Sequence, residues 1–126
     1  MEFRVKSKFW IEDDSGRPVL GAGRTLILET IAEQGSIKAA ADVLGMSYRA
    51  VWGKIKSAEE RLGMQLVETR AGGGPSRGAN LTPDAERLLG MFHELHEQGN
   101  RTADEIFKKV FQDGIKGKPR PKKTKK

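Results

Sequence analysis

Between Ile37 and Leu62 the apolar residues fall into two short helical runs separated by little more than Gly45 and Met46. Ile37, Ala40, Ala41 and Leu44 recur at i, i+3, i+4 and i+7, the spacing of one helix face. Ser36 precedes this run as a candidate N-cap, and Gly45 follows it, suited to the left-handed position that ends a helix. Ser47 caps the next run, in which Val51, Ile55, Ala58 and Leu62 make a narrow apolar stripe that stops at Gly63. Two short helices joined across a glycine, the second capped by serine and carrying cations, predict a helix-turn-helix.

The flanking sequence completes that motif. Leu26, Ile27, Leu28, Ile31 and Ala32 suit a preceding helix that stops at Gly35. Leu66-Val67-Glu68 reads as a strand, Ala71 to Ala79 is rich in glycine, and Asn80-Leu81 can return as a second strand. Thr82-Pro83 then opens another helix, with threonine as N-cap and proline at the first helical position, where its missing N–H costs nothing. At the N-terminus Phe3, Val5, Phe9 and Ile11 alternate with Arg4, Lys6, Lys8 and Glu12, which predicts a half-buried strand. Asp13-Asp14-Ser15-Gly16 would turn it back into Pro18-Val19-Leu20. The predicted class is mainly α (α+β): a winged helix-turn-helix with an N-terminal β-hairpin, a wing over residues 70–80 and a long C-terminal helix.

That last helix is the unusual part. Ala85, Leu88, Phe92 and Leu95 step by three and four residues, and Ile106 and Val110 resume the pattern beyond a possible break at Gly99-Asn100. Unbroken from 83 to 111 it would be about 44 Å long, against roughly 30 Å for a body of this size. Part of its stripe then needs a second copy, so 83–111 is expected to be a dimerisation helix with Leu88, Phe92, Leu95, Ile106 and Val110 at the interface. The expected organisation is a winged helix-turn-helix domain over 1–115 and a disordered basic tail over 116–126.

Charge must be read region by region. The 126 residues carry 23 basic and 17 acidic groups, a net +6. Lys116 to Lys126 holds seven of the basic groups and no acid, leaving 16 basic against 17 acidic elsewhere. The basic balance therefore describes the tail and does not make the body a nucleic-acid binder. Within the body charge is segregated: Ser47–Ser57 has Arg49, Lys54 and Lys56 with no acid, whereas Leu81–Ile115 has seven acids against four basic residues. There is no cysteine, so disulfides and thiolate chemistry are excluded. No window approaches the roughly 18 apolar residues of a membrane span, and the first residues lack a signal-peptide core. A soluble, cytoplasmic, nucleoid-associated protein without membrane contact is expected.

Enzymatic signals are weak. Gly72-Gly73-Gly74 is not followed by Gly-Lys-Ser/Thr and reads as a hairpin tip rather than a phosphate cradle. His93 and His96, beside Glu94 and Glu97, lack a second cluster to complete a metal site. Asp13 and Asp14 belong to a turn. Neither a metal, a cofactor nor a catalytic residue is expected, and an enzyme is not indicated.

The helix opening at Ser47 carries the functional expectation. At 100° per residue its buried direction lies about 10° from Val51, and Arg49, Gly53, Lys56 and Ser57 fall within ~50° of the opposite direction. Lys54 lies on one flank, while Tyr48 and Trp52 occupy the other shoulder, where partial burial is the default. An outward face of cations, glycine and serine suits a helix over 47–62 lying in the major groove of double-stranded DNA. Glycine permits close approach there, and arginine reads guanine O6 and N7 through two hydrogen bonds. Arg49, with Ser47 and Lys56, would meet base edges or flanking phosphates, and Tyr48 could offer its hydroxyl to a phosphate. Ser36 and Lys38 would touch phosphate at the start of the preceding helix. Arg70 and Arg77 would anchor the wing. Two alternatives stand beside this reading: a sequence-indifferent DNA binder driven by the tail, and a winged-helix protein-interaction module using the acidic Leu81–Ile115 surface.

The run Gly35-Ser36-Ile37-Lys38-Ala39-Ala40-Ala41 through Gly45-Met46-Ser47-Tyr48-Arg49-Ala50-Val51-Trp52 resembles the N-terminal DNA-binding domain of the molybdate-responsive ModE regulators. So do Gln65-Leu66-Val67-Glu68, the glycine-rich stretch Ala71 to Gly78, and Leu81-Thr82. LysR-type regulators share the Gly-Ser-x-x-x-Ala-Ala pattern and the Leu-Thr after the wing more loosely. The resemblance, over about residues 20 to 111, implies a winged helix-turn-helix that binds an operator as a homodimer. Pro75-Ser76-Arg77 interrupts what is usually a more continuous glycine run. The molybdate-binding domains of full-length ModE proteins have no counterpart in the sequence, so no small-molecule effector is expected.

Overall fold

In a computed structural model of the chain, residues 2–74 and 77–112 are described. The order is β1 (Ile11–Glu12), β2 (Pro18–Leu20), α1 (Ala22–Gln34), α2 (Ile37–Leu44), α3 (Tyr48–Leu62), β3 (Val67–Thr69), β4 (Ala79–Leu81) and α4 (Pro83–Val110). β1 pairs antiparallel with β2, and β3 with β4 in the register Val67↔Leu81, Glu68↔Asn80, Thr69↔Ala79. The winged helix-turn-helix is therefore present, with the hairpin ahead of it and the long helix after it.

Side-chain caps set the helix starts. Ser36 Oγ accepts from Ala39 N at 3.0 Å, Ser47 Oγ from Ala50 N at 3.0 Å and Thr82 Oγ1 from Ala85 N at 3.1 Å. Each such cap contributes about 1 kcal/mol. Between α2 and α3, Gly45 has φ 67°, a conformation that costs a residue with a Cβ, and this reverses the chain within three residues.

The described residues divide into two compact units. The larger, Phe9–Leu95, is built on Leu20, Leu28, Ile31, Ile37, Val51 and Leu66, each almost wholly buried. Burying an aliphatic side chain of this kind stabilises the fold by about 1.5–3 kcal/mol. Ala85, Leu89 and Phe92 bring the first turns of α4 onto the same core. In the hairpin turn the Asp13 carboxylate accepts from Ser15 N at 2.9 Å, Arg17 N at 3.0 Å and Arg17 Nε at 2.8 Å. These bonds, that from the Arg17 backbone above all, hold the Asp13 carboxyl below its ordinary pKa. In the smaller unit, Ser7 Oγ donates to Asn100 Oδ1, Asn100 Nδ2 lies 2.9 Å from His96 Nδ1, and the Phe107 and Phe111 rings are 5.0 Å apart.

Three expectations are corrected. The alternation from Phe3 to Phe9 forms no strand: β1 is only Ile11–Glu12, because β2 is three residues long and the chain enters α1 at Ala22, leaving earlier residues nothing to pair with. In α1, Leu26 and Ala32 face solvent while Thr25 and Thr30 are buried with Ile27, Leu28 and Ile31. The long C-terminal helix is as expected, since α4 runs through Gly99-Asn100 unbroken for 28 residues. The buried line of α4 is Ala85, Leu89 and Phe92 rather than Ala85, Leu88, Phe92 and Leu95. Phe92 is 5% exposed, a core residue with no surface for a second copy. The basic tail expected over 116–126 lies outside the described residues. No helix among the described residues is long and apolar enough to cross a membrane, and none of their His, Cys, Asp and Glu side chains group as metal ligands.

Candidate nucleic-acid interface

Three elements present the predicted residues: the start of α2, the outward face of α3, and the β3–β4 wing. The wing is tied directly to α2. Ala79 N donates to Gly35 O at 2.8 Å, and Ser36 bridges Gly78, so the wing base and the N-terminus of α2 form one strip. Arg70 N donates to Gly78 O at 2.9 Å, and a Cβ on Gly78 would meet Arg70 Cδ, Nε and Cζ at 3.1 Å, so Gly78 leaves the room the Arg70 side chain occupies. The neighbouring Arg77 buries its Nε without a hydrogen-bond partner. Beyond them Gly72, Gly73 and Gly74 all have positive φ, which gives the wing its tight tip.

Val51, Ile55 and Ala58 bury one face of α3 as expected, with Tyr48, Trp52 and Leu62 packed partly against the same core. On the other side Arg49, Gly53, Lys54 and Lys56 are exposed. Arg49 forms no ion pair among the described residues, so its guanidinium is uncommitted. A Cβ added to Gly53 would meet nothing within 4 Å. Packing inside the chain therefore does not require that glycine, although glycine inside a helix costs about 1 kcal/mol relative to alanine.

Lys56 is less free than its position on the wheel suggests. Its Nζ lies 3.3 Å from Glu59 Oε1 and 4.5 Å from the centre of the Trp52 ring. Glu59 is itself a connector that the sequence reading passed over. Its Oε2 accepts from Leu66 N at 2.7 Å and Val67 N at 3.2 Å, fastening the first wing strand to α3. Lys38 pairs with Asp42 at 3.3 Å, with both side chains in solvent, a contact of at most a few tenths of a kcal/mol. His93 Nε2 lies 2.7 Å from Glu29 Oε2, tying α4 to α1 and joining no third ligand.

Arg24 was also missed. From α1 its Nε reaches Lys54 O at 3.4 Å and its Nη2 reaches Ser57 Oγ at 3.2 Å. Burial, and then the like charge of Arg61, lower its pKa from the ordinary arginine value. Arg61 reaches over to the backbone oxygen of Pro18. Nothing in the local pattern around Arg24 announces these contacts, which span 30 residues or more.

The fold and this strip of helix and wing define a winged helix-turn-helix domain of the bacterial regulatory type. Residues 24–86, half of the chain, match the bacterial regulatory helix-turn-helix protein, lysR family, and the chain belongs to that family. Among curated relatives, the molybdenum transport protein ModE of Herbaspirillum seropedicae is 39% identical over 72 residues, 57% of this chain and 27% of that protein. The molybdenum-pterin-binding protein MopB of Rhodobacter capsulatus is 37% identical over 73 residues, 58% of this chain and 27% of its own length. ModE of Azotobacter vinelandii is 29% identical over 107 residues, 85% of this chain and 39% of the relative. The chain thus spans roughly a quarter to two fifths of these proteins. Among solved structures, the CbnR_DBD–DNA complex superposes with a TM-score of 0.53 at 24% identity, over 70% of this chain and 95% of that one. The BenM_DBD/catB site 1 DNA complex gives 0.51 at 22%, over 74% and 95%. At these identities the likeness establishes the fold.

Proposed function

We propose that the chain is a sequence-specific DNA-binding transcriptional regulator that acts as a homodimer and not as an enzyme, with α3 in the major groove and the wing on the backbone or minor groove. The observation that carries this reading is the outward face of α3. An unpaired arginine in its first turn stands beside a glycine that internal packing does not require, on a helix whose opposite face is fully used by the core. In this reading Arg49 meets base edges with Ser47, and Tyr48 and Lys54 meet phosphate. Lys56, held by Glu59 and Trp52, acts at the margin as a positive charge rather than as a base reader. Ser36 and Lys38, at the start of α2, lie along one phosphate path. Arg70 and Arg77 hold the wing to the duplex.

Dimerisation is assigned to α4. Leu88 is half-buried on the core, whereas Met91, Leu95, Ile106, Val110 and Phe111 are exposed apolar side chains. A second copy covering them would place two α3 helices on half-sites about 34 Å apart. Domain limits of 1–115 for the folded part and a cytoplasmic location accompany this proposal, as do double-stranded DNA as partner and the absence of cofactor or effector. Selection from a random duplex pool at about physiological salt tests it. Enrichment of an inverted repeat is the expected result. Binding without enrichment, fading steeply with salt, would reduce the protein to a non-specific binder.

A further inference from the structure

Arg24, Lys54 and Arg61 are three cations gathered where α1 and β2 meet one flank of α3, and none of them forms an ion pair among the described residues. Arg17, Lys38 and Lys56, by contrast, each pair with a nearby acid, Asp13, Asp42 and Glu59. We propose that Arg24, with Lys54, is a second phosphate-binding edge of the interface, gripping the DNA backbone on the side of α3 away from the wing. The proposal rests on the DNA-binding reading above, in which Lys54 already meets phosphate, and adds to it Arg24, a residue outside the recognition helix and wing.

Geometry places the edge there. On the wheel of α3, Glu59, which holds the start of the wing, lies on one shoulder about 110° from the outward direction. Ser57 and Lys54 lie on the other side, about 50° and 110° away. A major groove about 12 Å wide has a phosphate backbone along both walls, so a helix seated in it faces phosphates on both flanks. The wing arginines serve one wall, and without Arg24 and Lys54 the other would meet little positive charge. Arg24 is also already oriented. An arginine offers five N–H donors. Two are spent on Lys54 O and Ser57 Oγ, which fix the guanidinium plane against α3 and leave three for an incoming oxygen pair. The desolvation of Arg24 and its repulsion from Arg61 are costs of the DNA-free protein that an anion relieves. Arg61 itself, at the far end of α3 and turned to Pro18 O, belongs to this electrostatic setting and not to the contact.

The test is a salt series of binding by the full chain to the duplex selected by the wild type and to a scrambled duplex, with Arg24→Gln, Lys54→Gln and Arg61→Gln. Loss of one phosphate contact lowers the slope of log affinity against log salt by about 0.9. Arg24→Gln and Lys54→Gln should each show that drop, weaken both duplexes about equally by several-fold, and leave the ratio between them unchanged. Arg61→Gln should leave the slope alone. An affinity loss at unchanged slope for both variants would make Arg24 a brace for α3 and overturn the proposal. Unchanged affinity and slope for both would overturn it too, leaving the cluster to an acidic protein partner. Lys54 is exposed, so its variant reports on this flank even if Arg24→Gln fails to fold, and an unchanged slope there overturns the proposal. A wild-type protein that selects no duplex and binds none would remove the DNA reading itself, a result distinguishable from any of these.

Discussion

α3 and α4 are both amphipathic, yet their apolar faces are used differently. In α3 the stripe Val51, Ile55 and Ala58 is consumed by the core of its own chain, so the chemistry left to the helix is its polar face. In α4 the core buries Ala85, Leu89 and Phe92 and half-buries Leu88, while Met91, Leu95, Ile106 and Val110 are exposed. Val110 is 66% exposed, and Met91, Leu95 and Ile106 are exposed beside it on the same helix. A helix whose apolar side is satisfied internally is free to read a polar surface; one that is not leaves apolar surface that a partner can cover.

The largest expected effects separate the two parts of α4. Phe92→Ala removes a ring from the core and should destabilise the fold by about 3–5 kcal/mol, measured by denaturant unfolding. Ile106→Ser combined with Val110→Ser should barely change the denaturation of the unit Phe9–Leu95, because neither residue belongs to it. The same double substitution should shift the protein from dimer to monomer in sedimentation. If Phe92→Ala proved mild while the double variant unfolded the chain, the division of α4 into core and interface would be wrong.

Arg49→Ala tests the polar face of α3 with a smaller effect. It should leave stability within about 0.5 kcal/mol, as an exposed substitution does, and cost about 1–3 kcal/mol of binding with relaxed preference at one base position. Equal weakening on every sequence would make Arg49 a phosphate contact and move the reading role elsewhere on α3.

How much of this contrast is visible in the sequence depends on the range of the interactions that set it. The caps Ser36, Ser47 and Thr82 act within three residues, so the starts of α2, α3 and α4 can be read from local pattern. Phe3 to Phe9 alternate like a strand but lack a partner, since alternation describes a face and not the pairing that makes a strand. Leu88 and Leu89 lie 100° apart on a wheel, and only the position of the core decides that Leu89 is the buried one. Glu59 reaches 7 and 8 residues along the chain and Arg24 reaches 30 and 33, distances at which local pattern is silent. What could be read was therefore the frame of the site. The ties that fix the wing and the flank of α3 could not.

Gly53→Ala gives the smallest effect and the sharpest use of the contrast, because its two consequences have opposite signs. The site has open space for a methyl group, so the substitution should stabilise the folded chain, by about 1 kcal/mol at most, through better helix propensity and a less flexible unfolded state. On a helix whose outward face had no partner, that gain would be the whole effect. If α3 is pressed against the floor of a groove, the added methyl occupies the space closest to the base edges, and binding should weaken although the protein is more stable. Unfolding and duplex affinity measured on the same preparation read both signs. A variant that gains stability and binds as before would show that the glycine face of α3 stands clear of the DNA, and would transfer close approach from the middle of the helix to its first turn.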